Sequence, residues 1–260
     1  MGDVDRCFAF ETHRLALLST REEPFEGGVA YFDDDYPERY ISNFLLVNRV
    51  DAALTGERLA SLADDILGGA GLTHRHVTVL DEGGERLAPA FRDAGYEVGG
   101  IAVMVLCRPP DRPATLVAEE RSFDEVRPLT QEIYRRELPE APETAERFVE
   151  QHARWDRILG TRRFVAWIDG AFAGQCELYL HGADAQIEYV DTLEEYRGRG
   201  VARAVVLAAA EAARRAGADH VFIAAEQDDR PRSLYERLGF DPVGRAWEFT
   251  RYPVGSGGTS

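Results

Sequence analysis

The stretch Glu195-Tyr-Arg-Gly-Arg-Gly-Val-Ala202 brings together two glycines, two arginines and the start of an alanine-rich run. Residues of these types at this spacing make an anion site. Glycine lets the backbone approach a ligand closely, and the unpaired N–H groups of a first helical turn point at it. Arg197, Arg199 and Arg203 add positive charge, so a diphosphate is a fitting guest. A dinucleotide-binding turn would match at Gly198 and Gly200, with Glu226 as a ribose-binding acid. Against that, Arg203 stands in the third glycine position, and Glu194-Glu-Tyr-Arg197 separates the strand from the first glycine. A P-loop is excluded, because no Gly-Lys-Ser/Thr follows. A plain turn that holds no ligand stays open.

Such a loop needs a strand to deliver it and a helix to receive it. Residues 186–192 read as the strand and 201–216 as the helix, with arginines in its last turn and Gly217 as its stop. Before them, acid- and arginine-rich helices span about 122–158, broken near Pro139 and Pro142. Strands at 164–168 and 172–180 flank Asp169-Gly170, a dipeptide suited to a two-residue hairpin. After the alanine-rich helix come a strand at 220–225, a short helix at 230–238 ended by Gly239, and a strand around 246–251. That order specifies a mixed α/β domain.

The segment Arg108-Pro-Pro-Asp-Arg-Pro113 reads as a linker. Before it lies a fainter version of the same ending: a strand at 40–47, helix at 56–67, strand at 76–80, short helix at 85–94 stopped by Gly95, and an apolar strand at 98–107. Glu85 to Tyr96 matches Asp229 to Phe240 in pattern, a diverged internal duplication. The division expected is therefore 1–110, 111–252 and a disordered tail at 253–260.

Composition narrows the function. Net charge is −16, shared as 19 acids against 10 bases in residues 1–110 and 27 against 20 in the rest, which argues against nucleic acid or an anionic membrane as partner. All the basic residues are arginines. No apolar run reaches the roughly 18 residues a membrane span needs, and the N-terminus has no apolar signal core, so a cytoplasmic protein is expected. Cys7, Cys107 and Cys176 are scattered, and the histidines lack companions, so neither a disulfide framework nor a metal site is expected. Cys176 reads as a buried, inert thiol.

Arg197-Gly-Arg-Gly-Val-Ala202 resembles the R/Q-x-x-G-x-G/A motif of the GNAT superfamily of N-acetyltransferases. Ser233-Leu-Tyr-Glu-Arg-Leu-Gly-Phe240 is similar to the LYEKLGF ending of that superfamily, and Glu188-Tyr-Val-Asp-Thr192 to the strand before its loop. The resemblance covers about residues 115–252 and implies a mostly antiparallel central sheet, flanked by helices, with a splayed strand pair at 187–192 and 220–225. It implies acetyl-CoA as co-substrate, with its pantetheine arm against Val190, Asp191 and Thr192. The pyrophosphate would lie on Arg197, Gly198, Arg199, Gly200, Val201, Ala202 and Arg203. Asp228 and Arg232 would also border the coenzyme; Asp228 departs from the family's usual Asn. Tyr235 would protonate the departing thiolate, and Glu188 would deprotonate the amine, with Glu177 and Asp191 as rivals.

In the N-terminal half the matching loop, Asn48 to Gly56, lacks paired glycines and has Asp51 where phosphate would sit. Phe91 takes the place of Tyr235 and has no proton to give. The expectation is a tandem protein of two GNAT-like domains with one working site. It would act on a primary amine of a small molecule, as monomer or homodimer. The alternative is an acyl-CoA-binding or regulatory protein that keeps the fold without turnover.

Overall fold

The computed structural model describes residues 2–226 and 230–253, with the side chain of Arg230 excepted. In chain order the elements are α1 (Asp3–Leu18), β1 (Arg21–Phe25), β2 (Gly28–Phe32), β3 (Phe44–Val47), α2 (Gly56–Gly69), β4 (Arg75–Val79), α3 (Gly84–Asp93), β5 (Glu97–Leu106), β6 (Ala118–Arg121), α4 (Phe123–Glu137), α5 (Pro142–Leu159), β7 (Arg162–Ile168), β8 (Ala171–His181), β9 (Asp184–Thr192), α6 (Val201–Arg215), β10 (His220–Glu226), α7 (Arg230–Leu238) and β11 (Phe240–Arg251). Local chemistry sets many of these bounds. Ser122 and Glu125 form a reciprocal capping box at the start of α4. Pro142 opens α5, and Gly160, at φ 60°, ends it. Asp169 and Gly170 both have positive φ, 54° and 79°, as the β7–β8 hairpin requires.

Two compact units result. Unit 1 comprises residues 2–103 with 225–226 and 243–253. Its sheet runs β1-β2-β3-β4-β11-β5, with β1/β2, β2/β3 and β4/β11 antiparallel and β3/β4 parallel. α2 and α3 cover one face through Leu59, Ala63, Leu87 and Phe91, and the Phe91 ring stacks on Phe249 at 4.1 Å. α1 covers the other, with Phe8 and Leu15 against Tyr31, Phe44 and Leu46. The sequence alone divides the chain at its proline-rich segment, whereas packing divides it between Val103 and Met104, inside β5. The end of β11 joins unit 1, where Trp247–Arg251 pair with Val79–Arg75. A strand that completes another unit's sheet has no local signature, so sequence cannot show it. The 3-10 turn Tyr40–Ser42 replaces the first half of the strand expected at 40–47.

Unit 2 comprises residues 104–224 and 230–242. Its sheet runs β10-β9-β8-β7-β6, with β9/β10 parallel and the rest antiparallel. α6 lies along one face: Arg162 reaches the carbonyl of Ala212, and Gly174 abuts Val201. α4 and α5 lie on the other, where Val126 meets Val165 and Arg163 binds Asp156. Among the described residues no helix is long and apolar enough to cross a membrane, and no group of His, Cys, Asp and Glu could hold a metal.

Candidate active site

β9 and β10 pair in parallel from Asp184 and His220 as far as Ile187 and Ile223. Beyond that register no pairing is recorded among the described residues, although β9 continues to Thr192 and β10 to Glu226. The β9/β10 ladder thus ends before either strand does. The register against β8 shifts at the same place. Gln175 faces Asp191 and Glu177 faces Glu188, so β9 holds one extra residue there. Tyr189 absorbs it at φ 49°, a left-handed backbone rare for a bulky side chain, and its ring packs on His152 of α5 with centroids 4.9 Å apart.

The loop that follows ends in an uncapped helix. Gly198 has φ 77°; Gly200, the residue before α6, has φ 88° and no side-chain cap. Only glycine adopts such angles without strain. Gly174 lets the parts meet: a Cβ there would lie 2.2 Å from the Asp191 carbonyl oxygen and 2.7 Å from Val201. The first amides of α6, at Val201, Ala202 and Arg203, have no intrahelical acceptor and lie at the positive end of the helix dipole.

The expected arginines divide in role. Arg197 is exposed, with no ion pair recorded among the described residues. Arg199 is exposed too, 3.7 Å from Asp169. The guanidinium of Arg203 is buried, bound to Asp111 at 2.7 Å and to the Arg112 carbonyl at 2.9 Å. It ties the linker to α6, leaving its backbone N–H as what it can offer a ligand. Arg232 donates to Glu236 one turn on, at 3.3 Å. Asp228 falls outside the described residues. Tyr235 is buried on α7 with its ring edge-on to Phe240 at 6.2 Å.

The face of β8 and β9 beneath α4 and α5 is polar. It carries Gln175, Glu177 and Tyr179 on β8, and Gln186, Glu188 and Asp191 on β9. Glu177 is sealed in. Burial would raise its pKa, but Arg163, at 2.5 Å, together with His152 and Tyr179, holds it down to about 2. A carboxylate so held is a structural anion and a poor proton acceptor near neutrality. Glu188 accepts from Gln186 Nε2 at 2.8 Å. Asp191, which the sequence offered mainly as a coenzyme contact, is pushed up to about 7 by burial and by the charges of Glu137 and Glu177, against a hydrogen bond from Gln175. Cys176 faces the other way, fully buried, its thiol well above the usual range because of that burial. Gln175, Gln186 and His152 were not singled out from sequence; the repeat Gln-x-Glu at 175–177 and 186–188 was the available signal.

In unit 1 the corresponding parts are closed. β3 and β4 pair to their ends at Val47 and Val79, and the Leu80 N–H still donates to the Val47 carbonyl at 2.8 Å. Asp51 Oδ1 accepts from the N–H groups of Ala53 and Leu54, at 2.7 and 2.9 Å.

Residues 124–240 match the acetyltransferase (GNAT) family model. Comparison with curated proteins gives no match. Among solved structures, a conserved protein of unknown function from Staphylococcus epidermidis aligns at 15% identity over 90% of this chain and 94% of its own, with a TM-score of 0.68. A GCN5-related N-acetyltransferase from Kribbella flavida aligns at 17% identity over 96% of both chains, with a TM-score of 0.64. A tandem GNAT protein from the clavulanic acid biosynthesis pathway aligns at 21% identity over 80% of this chain and 73% of its own, with a TM-score of 0.53. Residues 124–240 thus match the acetyltransferase (GNAT) family, and the whole chain shares its fold with solved two-domain proteins of that kind.

Proposed function

We propose that unit 2 transfers an acetyl group from acetyl-CoA to a primary amine of a small molecule, and that unit 1 carries no second site. The observation that carries the reading is the end of the β9/β10 ladder at Ile187 and Ile223 beside the uncapped start of α6. A thioester arm would take the hydrogen-bonding groups that β9 leaves open at Val190 and Thr192. Its pyrophosphate would take the amides of Gly198 and of Gly200 to Arg203 and the charge of Arg197 and Arg199, the Arg199 amide being bound to the Tyr196 carbonyl.

Catalysis then needs little covalent help from the protein. Holding amine and thioester together removes most of the entropic barrier. The acceptor arrives as an ammonium, so a proton must leave before the nitrogen lone pair can attack the thioester carbon. Asp191, at about 7, is half-ionised near neutral pH and matched to that transfer. Glu188, across the bulge on the same face, orients the amine. The C–S bond breaks with its electrons going to sulfur, the Tyr235 phenol supplies the proton that makes the free thiol, and the second proton that the nitrogen sheds on becoming an amide restores the phenol. Products are an amide and coenzyme A.

Calorimetric titration with acetyl-CoA tests the donor site. The wild type should bind one equivalent, and the Gly198→Glu/Gly200→Glu variant should lose at least 100-fold in affinity. Equal binding by both would move the donor away from this loop and end the proposal. For the base, the acidic limb of kcat/KM should titrate near 7 and vanish in Asp191→Asn. If Glu188→Gln removes the limb instead, the two carboxylates exchange roles.

A further inference from the structure

The polar face beneath α4 and α5 is rich in acceptors. Five carboxylates border it: Glu137 from α4, Asp156 from α5, Glu177 from β8, and Glu188 and Asp191 from β9. Cationic groups recorded against them among the described residues include Arg163, which is shared between Asp156 and Glu177, and His152, 3.7 Å from Glu177.

A second observation points to a ligand. Gln175 and Gln186 are only 4% and 2% exposed, and each has a side-chain oxygen, Oε1, with no hydrogen-bond partner. The amide of each is already committed: Gln175 to Asp191, and Gln186 Nε2 to Glu188 at 2.8 Å. Both bonds use the NH2 ends and leave the two carbonyl oxygens without a donor. A buried carbonyl without a partner costs on the scale of a lost hydrogen bond. Each glutamine–carboxylate pair thus offers one negative charge and one neutral acceptor. That set suits an ammonium, which has three donors and no acceptor.

The pairs also have a spacing. Asp191 lies opposite Gln175 and Glu188 opposite Glu177, two residues apart along β8, which corresponds to about 7 Å. An extended covalent chain advances about 1.2 Å per bond, so five or six bonds separate nitrogens that reach both. We infer that the acceptor is a compact diamine or a molecule containing one, its two amino groups separated by four or five carbons, held by the Gln175–Asp191 and Gln186–Glu188 pairs. This deepens the acyl-transfer reading, on which it rests for the choice of the reacting end: the nitrogen at Asp191 is acetylated while the one at Glu188 stays charged and anchors the molecule.

Binding separates the two ideas, because it needs no acyl donor. The full chain is titrated calorimetrically with 1,4-diaminobutane, 1,5-diaminopentane and butylamine, and separately with acetyl-CoA. At least one diamine should bind at least tenfold tighter than butylamine, and Gln186→Leu should abolish that preference. Glu188→Gln, closer in shape, should do the same if the leucine variant fails to give a native circular dichroism spectrum. Equal affinity for butylamine and both diamines in the wild type overturns the inference, whatever acetyl-CoA does. So does a preference that survives both variants, since the orphan oxygens would then serve only solvent. A chain that prefers diamines but never binds acetyl-CoA would keep this inference for binding and refute the acyl-transfer reading.

Discussion

The successions β3-α2-β4-α3-β5 and β9-α6-β10-α7-β11 match element for element, yet only the β9/β10 ladder stops before its strands end. In unit 2 the ladder stops at Ile187 and Ile223, and the strands continue apart. In unit 1, β3 ends where its pairing ends, and Leu80 closes the last gap onto Val47. The loops differ in the same sense. Unit 2 leaves the first turn of α6 without a side-chain cap, while the carboxylate of Asp51 takes the amides of Ala53 and Leu54 in unit 1. In the function proposed above the parted strands and the loop work together, and unit 1 has neither, its parallel pair being closed and its loop amides held by Asp51.

The largest effect expected from breaking this comparison is at Tyr235 and its counterpart. Residues 91 and 235 occupy equivalent places, followed five positions later by Tyr96 and Phe240, whose rings meet them edge-on in each unit. Tyr235→Phe should lower kcat by roughly 100-fold or more while leaving acetyl-CoA affinity within about twofold, read by steady-state kinetics and calorimetry. Unchanged kcat would mean that the thiolate leaves without this phenol. Phe91→Ala should instead act on stability, by about 3–5 kcal/mol in chemical denaturation, since Phe91 is fully buried and stacked on Phe249. A loss near 1 kcal/mol or less would show that the site is not the packed core it resembles.

The sequence made the helices and the loop of unit 2 legible because their signals are local: capping box, positive-φ dipeptide, glycine stop. It also showed Phe91 and Asp51 as substitutions at duplicated positions. Three things stayed hidden for a shared reason. The extra residue at Tyr189, the membership of 243–251 in unit 1 and the burial that separates Glu177 from Asp191 depend on partners distant in sequence. Glu177, Glu188 and Asp191 look alike as letters; Arg163, arriving from the next strand, with His152 and Tyr179, makes one of them a fixed anion. The first helix, Asp3–Leu18, and the strand Ala118–Arg121 also went unread, being short of clear periodicity or charged throughout.

A smaller effect is expected from pH. Each unit holds one carboxyl raised to about 7 by burial first and by neighbouring acids second: Asp191 in unit 2, and Glu248, near Glu11 and Glu226, in unit 1. Their ordinary values are 3.8 and 4.5, so the folded chain binds these protons more tightly than the unfolded one. The stability this supplies is complete below the ordinary values and is lost as pH rises through about 7. Glu248→Gln should therefore raise Tm at pH 8 by a few degrees, about 2–4 °C for each kcal/mol of stability gained, with little change at pH 4. A rise at pH 4 as large as at pH 8 would assign the gain to something other than ionisation. Because Glu248 lies in the unit proposed to hold no site, the acidic limb of the rate profile should not move with it.

The smallest effect, and the sharpest test of the comparison, is at Asp51. Asp51→Ala removes the carboxylate that holds the amides of Ala53 and Leu54, at a cost of about 1 kcal/mol. It leaves an anion position with its donors free, so inorganic phosphate at high concentration should bind weakly there. Acetyl-CoA should not gain a second equivalent, because the β3/β4 pair remains closed through Val47 and Leu80 and gives the thioester arm no edge to bind. Calorimetric stoichiometry reads this directly. A rise from one equivalent to two would mean that the loop, not the slot, had silenced unit 1, and the division of labour drawn between the two units would have to be redrawn around a single carboxylate.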